Sequence, residues 1–128
     1  MWGEKMDKVI HFEIPVDDMD RAQTFYKEIF GWKITDMPEL NYTIVQTGPS
    51  GGKGPTEPGY IGGGMMKRRQ VRNPVITIHV EDIEASLKLV KSKGGKILVE
   101  KVAVGNMGYS AYFQDSEGNV LGLWEMRT

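Results

Sequence analysis

Hydrophobic and polar residues follow two different periods along this chain. Residues 9–16 and 74–80 are rich in β-branched side chains, which predicts a strand in each stretch. Each stretch leads into a segment whose apolar residues lie three or four positions apart, which predicts amphipathic helices at 19–30 and 83–93. The predicted core faces of these helices consist of Met19, Ala22, Phe25, Tyr26 and Ile29 in the first helix and of Ile83, Leu87, Leu89 and Val90 in the second.

Local signals mark both ends of each predicted helix. The residue pairs at 17–18 and 81–82 are acidic, and a carboxylate there can cap the first turn and interact favourably with the helix dipole. Glycines at 31 and at 94–95 can adopt the left-handed conformation that ends a helix. The two helices are therefore bounded by the same signals in the same order.

Three further strands are predicted after each helix. They lie at 33–36, 42–47 and 60–66 in the first half and at 96–104, 109–114 and 120–126 in the second. Residues 115–119 predict a turn that joins the last two strands in a hairpin. The stretch 48–59 is rich in Gly and Pro and predicts a mobile connection, either a surface loop or a lid over a cleft.

The two halves of the chain are copies of one pattern. Residues 16–20 are echoed by residues 80–84, and the same offset continues without a gap to the glycines at 31 and 95. We interpret the chain as one α+β domain over 1–128, built from two tandem βαβββ modules. The first module spans about 7–66 and the second about 74–127, with a linker at 67–73.

Composition excludes several classes of function. The chain has no cysteine, which excludes disulfides, thiolate metal sites and cysteine nucleophiles. The net charge is −1, and the short basic cluster at 67–72 is typical of a solvated linker, so we expect no nucleic-acid partner. No apolar run approaches the roughly 18 residues of a membrane span, so we expect no membrane partner and a cytoplasmic location.

Four segments together resemble the vicinal oxygen chelate superfamily, which includes glyoxalases, extradiol dioxygenases and bleomycin resistance proteins. They read "VIHFEIPVDDMDRAQTFYKEIFGW", "YIGGGMM", "PVITIHVEDIEASLKLVKSKGGKIL" and "YFQDSEGNVLGLWE", and they cover nearly the whole chain. The chain is most similar to the small glyoxalase-like proteins of this group. The resemblance implies that each module curls a four-stranded sheet into a half-barrel and that the two half-barrels surround a cleft. One fold hosts many functions, so the resemblance is more specific for the fold than for the chemistry.

Metal-dependent members of the superfamily hold a divalent cation through one residue on the first strand and one on the fourth strand of each module. The resemblance places these four positions at His11, Gly62, Val75 and Gly122. His11 fits as an imidazole ligand, but the other three side chains carry no donor atom. One imidazole cannot satisfy a cation that requires four to six ligands, so we expect no standard metal site and no divalent metal cofactor.

Two other uses of polar strand residues remain open. Strand alternation places His11 and Glu13 on one face, and Val75, Thr77 and His79 on the equivalent face of the second module. Imidazole and carboxylate groups suit zinc, iron or manganese, so His11, Glu13 and His79 form an alternative metal set. Without a metal, His11 and Glu13 are candidate catalytic residues that could act as an acid–base pair.

Further residues are candidates for binding a ligand in the cleft. Missing side chains at glycines 62 and 122 could leave space for a flat molecule, or they could serve close strand packing. Aromatic side chains could wall an apolar cavity or belong to the core. The candidate ligand-binding residues are Gly62, Thr77, His79, Tyr109, Gly122 and Trp124, with Tyr112 as a further aromatic neighbour.

Three functions are consistent with this pattern. The first is a glyoxalase-like protein that binds a small organic molecule between its modules without the standard metal site. The second is a metal-dependent lyase, isomerase or dioxygenase with rearranged ligands, and the third is a module for protein interaction. We also expect a homodimer, because half-barrel modules expose sheet edges that need covering.

Overall fold

The computed structural model describes residues 5–128 of the chain. These residues form two compact units. One unit comprises residues 11–74, and the other comprises residues 75–128 together with residues 5–10. Neither helix in this described part of the chain has the length and apolar composition that a membrane-spanning helix requires.

The first module carries one long helix and a four-stranded mixed sheet. Its elements are β1 (Val9–Val16), α1 (Met19–Phe30), β2 (Lys33–Met37), a 3₁₀ turn (Pro38–Leu40), β3 (Tyr42–Gln46), β4 (Ser50–Gly51), β5 (Gly54–Pro55) and β6 (Gly62–Lys67). Its four main strands run in the order β2-β3-β6-β1. Strands β6 and β1 are parallel, and the other neighbours are antiparallel.

Helix α1 has the predicted bounds. The Asp18 carboxylate accepts a hydrogen bond from the backbone N–H of Arg21 at 3.0 Å, and Gly31 ends the helix in the left-handed conformation at φ 70°. Met19 and Tyr26 pack on the core of this module. The prediction that Phe25 and Ile29 belong to the core is wrong, because these side chains are 54% and 56% exposed.

The second module repeats this architecture. Its elements are β7 (Val75–His79), α2 (Ile83–Ser92), β8 (Lys96–Val104), β9 (Gly108–Gln114) and β10 (Val120–Met126). Its strand order is β7-β10-β9-β8, with β7 and β10 parallel and the other neighbours antiparallel. The order matches that of the first module when β7, β8, β9 and β10 are taken as the counterparts of β1, β2, β3 and β6. The α+β fold class predicted from the sequence is confirmed.

Helix α2 is anchored at its start from two sides. The Asp82 carboxylate accepts from the N–H of Ala85 at 3.1 Å, and Glu125 on β10 accepts from the N–H of Ile83 at 2.9 Å. Ile83 and Leu87 are buried against the sheet. The predicted core position of Leu89 is wrong, because that side chain is 58% exposed.

The connections are more ordered than the sequence predicts. Within 48–59, the short strands β4 and β5 pair with each other, and the Tyr60 hydroxyl donates to the carbonyl of Pro49. In the predicted linker, Val71 is buried and the Arg68 guanidinium lies 3.0 Å from the Asp17 carboxylate. The predicted turn at 115–119 is present, with backbone N–H groups of Asn119 and Glu117 holding the pKa of the Asp115 carboxyl below its ordinary value.

Candidate functional site

Strand β1 separates apolar from polar side chains in the first module. Phe12, Ile14 and Val16 pack on the core beneath helix α1. Because successive side chains of a strand point to opposite faces, His11 and Glu13 lie on the face turned away from the helix. The predicted pairing of His11 and Glu13 on one face therefore agrees with the packing of their neighbours.

A tyrosine links these two polar residues. The Tyr42 hydroxyl on β3 donates a hydrogen bond to Oε2 of Glu13 at 2.7 Å, and Nε2 of His11 lies 2.9 Å from the same hydroxyl. Glu13 is buried, with 8% of its surface exposed, whereas His11 and Tyr42 are half-buried. We call this arrangement of His11, Tyr42 and Glu13 the polar chain.

Glycines of β6 make room for the polar chain. Gly64 pairs with Glu13 across the parallel strands, and a Cβ atom at position 64 would lie 1.9 Å from the Tyr42 hydroxyl oxygen. No side chain at position 64 is therefore compatible with the observed place of Tyr42. Gly63 makes room for the ring of Phe12 on the opposite face, where a Cβ would lie 2.5 Å from that ring.

Burial and charge act in opposite directions on His11. Burial lowers the pKa of His11 below its ordinary value, because the imidazolium form loses hydration. The Glu13 carboxylate acts to raise this pKa, but its influence is the smaller of the two. His11 is therefore mainly neutral near pH 7 and has one nitrogen able to accept a proton.

The second module has a less polar counterpart of this face. Ile78 and Leu123 pack on the core beneath α2, so Thr77 and His79 on β7 lie on the opposite face, as do Gly122 and Trp124 on β10. Gly122 lies beside Thr77, and Trp124 lies beside His79. These four predicted ligand-binding residues thus share one surface of the sheet.

Two aromatic candidates, Tyr109 and Tyr112, lie on opposite faces of strand β9. Tyr109 packs on the core under α2, and the ammonium of Lys101 lies 4.4 Å from the centre of its ring. Tyr112 instead lies beside Gly122, with ring carbon Cε1 3.4 Å from the place a Cβ would take there. The structure therefore groups Tyr112 with the candidate ligand-binding residues and places Tyr109 with the core.

Thr77 is buried although its side chain carries a hydroxyl group. The residue is 6% exposed, and Oγ1 has no hydrogen-bond partner within residues 5–128. A Cβ at position 122 would lie 3.0 Å from this oxygen. A buried hydroxyl without a partner costs about 1–3 kcal/mol relative to an apolar group of the same shape.

The donor atoms present do not fit the metal site of the superfamily. Of the four positions that the resemblance assigns, Gly62, Val75 and Gly122 offer no side-chain ligand, and Val75 is 4% exposed. Within residues 5–128, no three His, Asp or Glu side chains form a group that could hold a metal ion. The rearranged set of His11, Glu13 and His79 stays a prediction from the sequence.

A surface groove lies elsewhere on the first module. It has a volume of about 300 Å³, runs beside the start of α1, and includes Arg21, Phe25 and the paired Asp17 and Arg68. It shares no lining residue with the polar chain. Its charged side chains are of both signs.

Sequence reasoning missed the central member of the polar chain. The sequence predicts Tyr42 only as a strand residue, and it presents Gly64 only within the segment "YIGGGMM". A run of three glycines in a strand indicates that bulky neighbours approach from both faces. That signal could have directed attention to aromatic residues of an adjacent strand, of which Tyr42 is one.

Comparisons with known proteins agree with this fold. Residues 8–48 match the family model described as bleomycin resistance protein-like N-terminal. The chain is 30% identical over 112 residues to a glyoxylase-like domain-containing protein of Didymella fabae, a match covering 84% of each protein. It is 27% identical over 117 residues to lactoylglutathione lyase of Haemophilus influenzae, covering 87% of each.

Solved structures give the same picture at lower sequence identity. A hypothetical protein of Bacillus halodurans has a TM-score of 0.64 and 18% identity, covering 97% of both chains. A variant of Streptomyces coelicolor methylmalonyl-CoA epimerase in complex with 2-nitronate-propionyl-CoA has a TM-score of 0.61 and 15% identity, covering 95% of this chain and 96% of that one. At these identities the likeness shows a shared fold.

Proposed function

The chain belongs to the vicinal oxygen chelate superfamily as a glyoxalase-like member, and from this premise we propose that it binds a small organic molecule and transfers a proton on it. The observation that carries the proposal is the polar chain. It combines a half-buried imidazole with a buried carboxylate through one hydroxyl. The ligand would bind against the face of the first module that carries His11.

His11 is the proposed base. In the forward step a C–H bond of the ligand breaks, its electron pair stays on the ligand, and the proton forms an N–H bond on the imidazole. The Glu13 carboxylate then stabilises the imidazolium through Tyr42, and the reverse step returns the proton. A lowered pKa keeps the imidazole neutral and ready to accept a proton at neutral pH.

The relatives suggest a class of ligand. Lactoylglutathione and methylmalonyl-CoA, which appear in the names of the relatives, are both thioesters with a hydrogen on the carbon next to the carbonyl group. Removing that proton is a reaction that a neutral imidazole can assist. We therefore propose carbonyl compounds of this kind, thioesters foremost, as the ligands of this protein.

The test is hydrogen exchange in heavy water. S-lactoylglutathione and methylmalonyl-CoA are each incubated with the protein in D₂O, and proton NMR follows the signal of the C–H group next to the carbonyl. We expect the protein to accelerate loss of this signal for at least one compound and His11→Gln to slow it by about 10²–10⁴-fold, the usual contribution of a general base. Equilibrium unfolding of His11→Gln confirms that the variant is folded.

Two results would contradict the proposal. Equal exchange by the wild type and His11→Gln would remove His11 from the reaction. Exchange that disappears on treatment with a chelator and returns with added zinc or manganese would instead favour the metal-dependent alternative. Metal analysis of protein purified without a chelator is the matching control.

We also propose that the protein is a homodimer. Strand β8 ends the strand order of the second module and carries Leu98 and Val102 with 41% and 48% of their surfaces exposed. An apolar edge strand is a liability unless another surface covers it. Light scattering coupled to size-exclusion chromatography tests this proposal, and a monomer mass would contradict it. The cytoplasmic location stays a prediction.

A further inference from the structure

The geometry assigns a positioning role to Tyr42. We propose that Tyr42 holds His11 in the tautomer that carries its proton on Nε2, which makes Nδ1 the nitrogen that receives a proton from the ligand. The assignment of the tautomer stands on hydrogen-bond geometry alone. Its meaning for the reaction rests on the proposed function.

The number of available protons sets the direction of these two hydrogen bonds. A tyrosine hydroxyl has one proton, and in this structure it is donated to Oε2 of Glu13 at 2.7 Å. An ionised carboxylate has no proton to give in return. The contact of 2.9 Å between the Tyr42 oxygen and Nε2 of His11 must therefore be made with the imidazole N–H as donor.

The reverse direction is unfavourable. If Tyr42 donated to Nε2 of His11, its oxygen would face a carboxylate oxygen of Glu13 at 2.7 Å with no proton between them. Two oxygen lone pairs at this distance repel, and Glu13 is too buried for water to relieve the contact readily. The polar chain thus has one direction, from His11 through Tyr42 to Glu13.

Packing keeps Tyr42 in place for this role. The absence of a side chain at Gly64 lets the ring lie over β6, where a Cβ would come within 2.1 Å of Cζ. The next residue along β3, Thr43, is buried and donates a hydrogen bond to Asp36 on β2 at 2.8 Å. Both features fix the start of β3, from which Tyr42 extends.

In the reaction the two imidazole nitrogens therefore have different roles. When Nδ1 takes the proton from the ligand, the N–H on Nε2 stays in place and points at Tyr42. The positive charge of the imidazolium is balanced by Glu13 through the shared hydroxyl. Tyr42 is a positioning residue in this scheme, because it acts on the ligand only through His11.

The test uses nitrogen NMR of the imidazole rings and needs no ligand. The chain has only two histidines, so a ¹⁵N-labelled sample gives two sets of ring signals, and His79→Gln assigns them. At pH 8 we expect His11 to show the shifts of the Nε2–H tautomer, with a proton signal on Nε2 that exchanges slowly with water. In Tyr42→Phe we expect that proton signal to broaden beyond detection and the tautomers to mix. Tyr60→Phe, which removes another hydroxyl from the same module, should leave His11 unchanged.

Several outcomes would overturn the inference. One is a wild-type His11 with its proton on Nδ1, and another is a Tyr42→Phe variant whose His11 spectrum equals that of the wild type. In the exchange assay, a positioning role predicts that Tyr42→Phe lowers kcat about tenfold or more with KM nearly unchanged, and an unchanged kcat would contradict it. A wild-type protein with the Nε2–H tautomer but no exchange activity would refute the proposed function and leave the tautomer assignment standing.

Discussion

Replacing Gly64 by alanine tests whether β6 is shaped around Tyr42. A Cβ at this position would lie 1.9, 2.1 and 2.3 Å from Oη, Cζ and Cε2 of Tyr42, distances at which non-bonded atoms cannot coexist. The backbone of Gly64 is not among those with positive φ, so alanine itself fits the strand. Any cost must therefore come from displacing the tyrosine ring.

The magnitude follows from the two hydrogen bonds that the displaced ring would lose. A hydrogen bond to a charged group such as the Glu13 carboxylate contributes about 1.5–3 kcal/mol, and a neutral one such as that to His11 about 1 kcal/mol. Replacing glycine by alanine recovers about 0.4–1 kcal/mol by reducing the entropy of the unfolded chain. Since the ring and His11 are only half-buried, we expect a net loss of about 2 kcal/mol in the free energy of unfolding.

Urea denaturation followed by circular dichroism measures this loss. With a slope of about 2 kcal/mol per molar urea, the midpoint should fall by roughly 1 M. The matched control is Gly52→Ala, where a Cβ would meet no atom within 4 Å and φ is not positive, so the midpoint should not fall. In a Tyr42→Ala background the Gly64→Ala substitution should become nearly neutral. An equal cost of Gly64→Ala in both backgrounds would refute the reasoning.

Two further predictions concern ionisation and an unpaired hydroxyl. Because the folded state lowers the pKa of His11, the unfolded chain binds a proton more readily, and we expect stability to fall as the pH drops below about 6.5. His11→Gln should flatten this pH dependence in thermal unfolding measured from pH 8 to pH 5. An unchanged slope in the variant would contradict the prediction. Thr77→Val removes a buried oxygen that has no partner within residues 5–128, so the free energy of unfolding should rise by about 1 kcal/mol in urea denaturation. Thr77→Ser keeps the hydroxyl and should bring no such gain. A loss of stability in Thr77→Val would show that the hydroxyl is already paired.

The fold could be predicted from the sequence because the signals for its helices and strands are local and occur in both halves of the chain. Asp18 and Asp82 cap their helices through the same contact to the N–H three residues later, as their acidic character and place before an apolar stripe predict. Strand positions were predicted within about two residues, since β-branched runs are strong signals. Helix faces were predicted less well: apolar periodicity does not distinguish Tyr26, which packs on the core, from Phe25, which is exposed.

The candidate site could be predicted from the sequence only in part. Strand alternation paired His11 with Glu13 and Thr77 with His79, because each pairing depends on a period within one strand. Tyr42 was missed because its contact with His11 crosses 31 positions of sequence. For Tyr109 the sequence left two uses open, because which face of β9 meets the helix depends on packing with α2 and a sequence period alone does not assign the faces.

Strand β6 contributes little side-chain volume at the positions where rings from neighbouring strands lie against it. Phe12 covers one face at Gly63 and Tyr42 covers the other at Gly64. Consecutive glycines of this strand are thus required for different reasons: Gly63 accommodates a ring of the packed core, and Gly64 accommodates the ring of Tyr42 on the polar face. Added volume at position 63 should therefore disturb folding first, whereas the same addition one residue later should first disturb Tyr42 and its contact with the His11 imidazole.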